Sequence, residues 1–134
     1  WDTEIGRARA VLAEANPTYL IDVLLADDEV DSAWEVATTG GHQLASSQWA
    51  RLAKAREPAA PGDAMAVYLR LADDALLTTD KRAYRDAVRY LEATQRAATF
   101  ADRTTEFAEH LGDLRERNKR RPSFMAMLDK AGLR

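Results

Sequence analysis

No stretch of this chain alternates polar and apolar residues with a period of two. Its apolar positions recur at intervals of three and four, and alanine fills much of the space between them. That pattern constrains the fold more than any other feature. Spacings of three and four place side chains on one stripe of a helix. Alanine has the highest helix propensity and lets neighbouring helices approach closely. Twenty-six of the 134 residues are alanine, against six glycines and four prolines. The expected fold class is all-α: an antiparallel, tetratricopeptide-like array of about 7–8 helices paired in hairpins, or a compact helical bundle.

Punctuation divides the chain into eight helical segments. The first covers 2–15, with Ile5, Ala8, Leu12 and Ala15 on one stripe. Asn16-Pro17 resets the chain, and Tyr19 to Leu25 is apolar nearly all round, as expected of a buried helix. A third segment carries Val30, Ala33, Trp34 and Ala37 and stops at Gly40-Gly41. Ser46 or Ser47 is placed to cap a fourth with Trp49, Leu52 and Ala53. Pro58-Ala59-Ala60-Pro61-Gly62 reads as a loop inside one domain covering 1–134. Beyond it lies the stripe Ala64, Val67, Tyr68 and Leu71, extending towards Leu76. Asp80 caps a long helix with Tyr84, Ala87, Val88, Leu91 and Ala98 inward. Asp102 opens a seventh with Phe107, Leu111 and Leu114, and Pro122 starts a last one with Met125 and Leu128, ended by Gly132. Trp34, Trp49, Tyr68, Tyr84 and Phe107 supply one aromatic anchor per helix, and with Leu52, Leu71, Leu91, Leu111 and Leu114 they form the expected core.

The residues that carry chemistry elsewhere have plainer readings here. Zero cysteines exclude disulfides, thiol catalysis and Cys-ligated zinc. Glu106 and His110 are four apart on one helix with Asp113 beyond, but a metal needs three or four converging ligands, and they read as a solvated face. His42 reads as a loop residue beside the diglycine. Asp27-Asp28-Glu29-Val30-Asp31 lacks the central glycine and terminal glutamate of a calcium loop and reads as acids at a helix start. Ser46, Ser47 and Ser123 sit at helix starts and outside any nucleophile elbow. Asp73 and Asp74, adjacent on a helix, point about 100° apart and do not share a site. No glycine-rich phosphate loop is present. No catalytic residue, metal or cofactor is expected, and the chain reads as a non-enzyme, the alternative being an enzyme whose site is not visible in the sequence.

Charge is unevenly spread. Residues 1–40 hold nine acids and two bases, whereas 81–134 hold thirteen bases and eight acids, within an overall charge of −3. The densest feature is Arg115-Glu116-Arg117-Asn118-Lys119-Arg120-Arg121, with Phe124 close by. Arg115, Arg117, Lys119, Arg120 and Arg121 are therefore the candidate binding residues. Three uses are open to them: gripping nucleic-acid phosphates, complementing a helix C-terminus, or docking on an acidic partner or the acidic N-terminal third. No apolar run reaches the roughly 20 residues of a membrane span, and no signal-peptide pattern opens the chain, so a cytoplasmic protein is expected. Trp1 leads straight into a helical pattern without a methionine, which reads as the C-terminal piece of a longer polypeptide.

Trp49-x-x-Leu52-Ala53 is part of the tetratricopeptide helix-A signature. The later residues resemble a particular chain end: Tyr84 to Leu91, then Glu106-Phe107, Leu111 and Leu114-Arg115, then Lys119-Arg120-Arg121-Pro122-Ser123-Phe124 through Leu133. Together they are similar to the C-terminal helical region of actinobacterial SWIM-type zinc-finger proteins. Asp31 to Ala37 fits the repeat-like texture of that region. The family's zinc motif, Cys-x-Cys followed by Cys-x-His, is absent, so no ligand role passes to any residue here. The resemblance implies a non-catalytic scaffold or protein-interaction module, accessory to a zinc finger elsewhere in the parent chain. Its implied partners are other proteins or neighbouring domains, with nucleic acid as the alternative through residues 115–121.

Overall fold

The computed structural model describes residues 17–39 and 44–134. The expected helix over 2–15, the Gly40-Gly41 stop and His42 lie outside the described residues. Among those described, seven α-helices and no strand are found: α1 Pro17–Ala26, α2 Val30–Thr38, α3 Ser46–Arg56, α4 Pro61–Ala75, α5 Lys81–Ala101, α6 Thr104–Arg117 and α7 Pro122–Lys130. The protein is all-α. The chain divides into two compact units between Arg56 and Glu57, so the Pro58–Gly62 segment belongs to the second unit.

In the first unit α2 packs on α1 and α3. Leu20, Ile21 and Leu24 of α1 meet Ala33 and Ala37 of α2 and Leu52 of α3 in one apolar cluster. Asp22, Val23 and Leu25 are only half-buried, so α1 is less enclosed than its composition suggests. Trp34 and Trp49 pack edge-to-face, 6.4 Å between ring centroids at 81°. Both are half-buried rather than core residues, because they flank the cluster instead of filling it. The Arg56 guanidinium stacks 4.9 Å from the Trp34 ring and pairs with Asp31 at 2.9 Å. Arg51 pairs with Asp22 across the unit.

The second unit is built around α5, which packs along α4 over the longest helix seam and also touches α6 and α7. Small side chains permit that approach: Ala64 and Ala72 of α4 and Ala87, Ala97 and Ala98 of α5 have no exposed surface. Thr94 is also fully buried in α5, and its hydroxyl donates to the Tyr90 carbonyl at 2.7 Å. Tyr68, Leu71, Tyr84, Leu91, Phe107, Leu111 and Leu114 are buried, as expected. The last helix turns inward differently from the expectation. Phe124 and Leu128 are its fully buried residues and Met125 is half-buried. Phe124 lies 5.4 Å from the Tyr84 ring, so it belongs to the core and is unavailable for stacking on a base. At the head of the unit Glu57 takes a bidentate grip from Arg96, 3.0 Å at each oxygen. Burial, and then the Glu57 charge, push the Tyr68 hydroxyl above the usual tyrosine range.

Three helices end by the same backbone device. After α7, Gly132 takes φ +79°, and the N–H groups of Gly132 and Leu133 donate to Asp129 and Leu128. That is a Schellman closure, completed by contact-forming residues Leu128 and Leu133, both without exposed surface. α5 closes identically through Asp102 at φ +57°, with Arg103 N–H donating to the Ala98 carbonyl at 2.8 Å. α1 closes through Asp28 at φ +60°, with Glu29 N–H donating to Leu24 at 2.8 Å. These geometries correct two expectations. Asp102 ends α5 instead of opening α6, and Asp28 belongs to the end of α1, leaving Asp31 in the first turn of α2.

Helix starts also differ in part. Asp80 caps α5 as expected, its carboxylate accepting from Ala83 N–H at 2.7 Å. Neither Ser46 nor Ser47 caps α3. Ala45 holds that position, its carbonyl accepting from Gln48 and Trp49, and the Gln48 side chain accepts in return from the Ala45 N–H at 3.3 Å. The preceding residue of α7 is Arg121, so Ser123 is no cap either.

Two outcomes follow for urea unfolding. Phe124→Ala should lower stability by about 3–5 kcal/mol, while Leu77→Ala, at a residue 82% exposed, should stay within about 0.5 kcal/mol; equal effects would contradict the core assignment. Asp102→Gly should raise stability by roughly 0.5–1 kcal/mol, because glycine occupies the left-handed region without strain.

Candidate functional site

The basic segment spans the last turn of α6 and the link to α7. Asn118 sets its path: the residue is buried, its side-chain amide donates to the Leu114 carbonyl at 2.7 Å, and its own carbonyl accepts from Arg121 N–H at 2.9 Å. Nothing in the run of charges singled out this one neutral amide.

The five candidate residues do not converge on one surface point. Arg115 donates to the Leu133 carbonyl and to the Asp129 carboxylate, both at 2.9 Å, and so clasps the chain end to α6. Arg121 donates to the Leu76 carbonyl at 2.8 Å, at the open end of α4, and its guanidinium lies 5.8 Å from the Tyr84 ring. Arg117 faces Asp73 at 3.8 Å with both side chains more than half exposed, a pair of little energetic weight. Lys119 donates to Glu116 at 2.6 Å, and that hydrogen bond, then the carboxylate charge, raises the lysine pKa. Arg120 is exposed and has no ion-pair partner among the described residues. Two cations therefore hold the fold, two sit beside acids, and one faces solvent.

The other candidates occupy plain surface. Glu106 and His110 are exposed on α6, and Glu106 lies 4.0 Å from Arg103. Among the described residues no three His, Asp or Glu side chains gather as metal ligands. Ser46, Ser47 and Ser123 are exposed. Among the described residues no helix is long and apolar enough to cross a membrane.

A different feature emerges where α7 approaches α5. An open groove of about 510 Å³ runs between them. Met127 and Ala131 supply its accessible apolar surface, with the buried Val88 beneath them, and Arg85, Arg89 and Lys130 supply its cations. Glu92, two turns beyond Arg85 on α5, is its acid. Arg89 is paired with Asp86 at 2.8 Å. Arg85 and Lys130 are exposed and have no ion-pair partner among the described residues. The volume is within the range of ligand-binding clefts, yet the groove is open along its length, which suits an extended surface contact. A second cleft, about 530 Å³, is lined by Glu57, Pro58, Pro61 and Phe100, the last 70% exposed.

The sequence matches no family model and no curated protein, and the fold matches no solved structure. Chemically, the groove offers apolar contact flanked by unengaged positive charge. The spacing Arg82, Arg85, Arg89 on one helix face was readable in sequence. Its juxtaposition with Met127 and Lys130 was not, since it requires α7 to fold back.

The two kinds of arginine are separable by measurement. Arg115→Ala should cost about 1.5–3 kcal/mol and speed amide exchange at Leu133, because charge-assisted bonds to a backbone carbonyl and a carboxylate are lost. Arg120→Ala should change stability by less than about 0.5 kcal/mol. Equal, small losses for both would remove the clasp.

Proposed function

We propose that this chain is a non-catalytic helical scaffold whose work is to bind a protein partner or a neighbouring domain of its parent. The observation that carries this reading is the contrast between the two basic regions. The cations of 115–121 mostly fasten helices or sit beside acids, whereas the α5–α7 groove combines apolar surface with Arg85 and Lys130, which have no such employment. Protein contacts use apolar anchors ringed by polar or charged side chains. Phosphate recognition needs a concentration of free cations and gains nothing from an apolar floor.

The finer identity remains within the same proposal. The residues of 84–133 support an accessory, repeat-like region of a SWIM-type zinc-finger protein, acting in the cytoplasm. In that setting the zinc finger contacts its own target and this region holds or orients a second protein.

Site-specific photo-crosslinking tests the reading in the cell. A photoreactive residue at Met127 should yield discrete protein adducts, and one at His110, on the exposed side of α6, should not. Adducts of the same kind from both positions, or none from Met127, would count against a protein-binding scaffold using this face.

A further inference from the structure

The α5–α7 groove has a chemistry specific enough to name its occupant. We infer that it receives a short amphipathic helix of acidic character from a protein partner, laid with its apolar stripe on Met127 and Ala131. This deepens the scaffold reading and rests on it.

Three observations combine. The groove surface of Met127 and Ala131, over the buried Val88, is apolar and lies between two helices, the setting in which a third helix inserts residues spaced three and four apart. Its flanks carry Arg85, Arg89 and Lys130 against one acid, Glu92. Of these cations Arg89 already shares Asp86, while Arg85 and Lys130 have no acid to satisfy them among the described residues. Positive flanks select an occupant whose polar face is acidic and repel one that is basic.

Glu92 gives the groove a direction. It follows Arg85 by seven residues on α5, which is about 10 Å along the helix axis. An occupant with acids near Arg85 and a neutral or basic residue near Glu92 is favoured over the reversed order. A single strip of phosphates offers neither an apolar stripe nor this change of sign.

The test uses the full chain and labelled synthetic peptides of about four helical turns, followed by fluorescence anisotropy at low and high salt. One peptide carries Leu on one stripe and Glu on the rest; in two controls Gln or Lys replaces every Glu, and a labelled DNA duplex is the fourth probe. The Glu peptide is expected to bind best, more weakly at high salt, and to lose about tenfold or more in affinity in the Arg85→Glu, Lys130→Glu double variant. Met127→Lys should weaken it through the apolar stripe, while Arg120→Glu should leave it unchanged. Circular dichroism reports whether each variant is folded, and the exposed Arg85 and Lys130 positions keep the test usable if Met127→Lys is not.

Failure of the Glu peptide to exceed the Lys peptide, or its indifference to the double variant, overturns the inference. If the Gln or Lys peptide binds instead and Met127→Lys abolishes it, the acidic occupant is wrong and the scaffold reading stands. If no peptide binds and the duplex binds through Arg85 and Lys130, both fall.

Discussion

The close approach of α4 and α5 is the constraint from which the second unit follows. Ala64, Ala72, Ala87, Ala97 and Ala98 have no exposed surface, and such small side chains let two helix axes come near the lower end of the usual 8–10 Å. Close packing of small residues leaves little room for a rotamer to relieve an error, since interiors are close-packed. It also leaves α5 free along its other faces, where Leu91 and Tyr84 are buried and where α6 and α7 attach. A larger side chain on this seam would move α5, and with it the two helices that depend on α5 for their cover.

Three of the described helices are ended by one kind of closure. Asp28, Asp102 and Gly132 adopt the same left-handed conformation and close their helices with the same pair of backbone bonds. Glycine does this without strain, and aspartate is among the few other residues that tolerate it. This explains why helix existence was legible in the sequence while two boundaries were not. An aspartate between apolar stripes has two opposite readings, an N-cap or a left-handed C-terminal residue. Asp80 is the first and Asp102 the second, and only the backbone distinguishes them. The acids at 27–29 carry the same ambiguity.

The core was legible wherever one helix carried its own pattern. The stripes of α4, α5 and α6 are buried as their spacing requires. α7 is short, and its nine residues allow either Met125 or Phe124 to face inward. The choice falls to Phe124 because Tyr84, forty residues earlier, offers it a ring at 5.4 Å. In the first unit the tryptophans marked the right helices, yet their bulk was better accommodated beside the small Ala33–Ala37 cluster than within it.

Charge was the least legible property, because its meaning depends on distant partners. Arg115 and Arg121 look alike in a run of five cations, but the first is held by residues 14 and 18 positions later and the second by a carbonyl 45 positions earlier. A guanidinium so engaged is not available to a ligand without loss: leaving a backbone carbonyl and a carboxylate forfeits charge-assisted bonds that together exceed the gain from one exposed phosphate contact. The density of positive charge in sequence therefore overstates the binding capacity of residues 115–121. Arg85 and Lys130 are far apart in sequence. They are brought to one groove by the fold, and they have no internal bond to surrender on binding. Recognition is cheapest where charge has been left exposed beside apolar surface, and in the second unit that condition is met between α5 and α7.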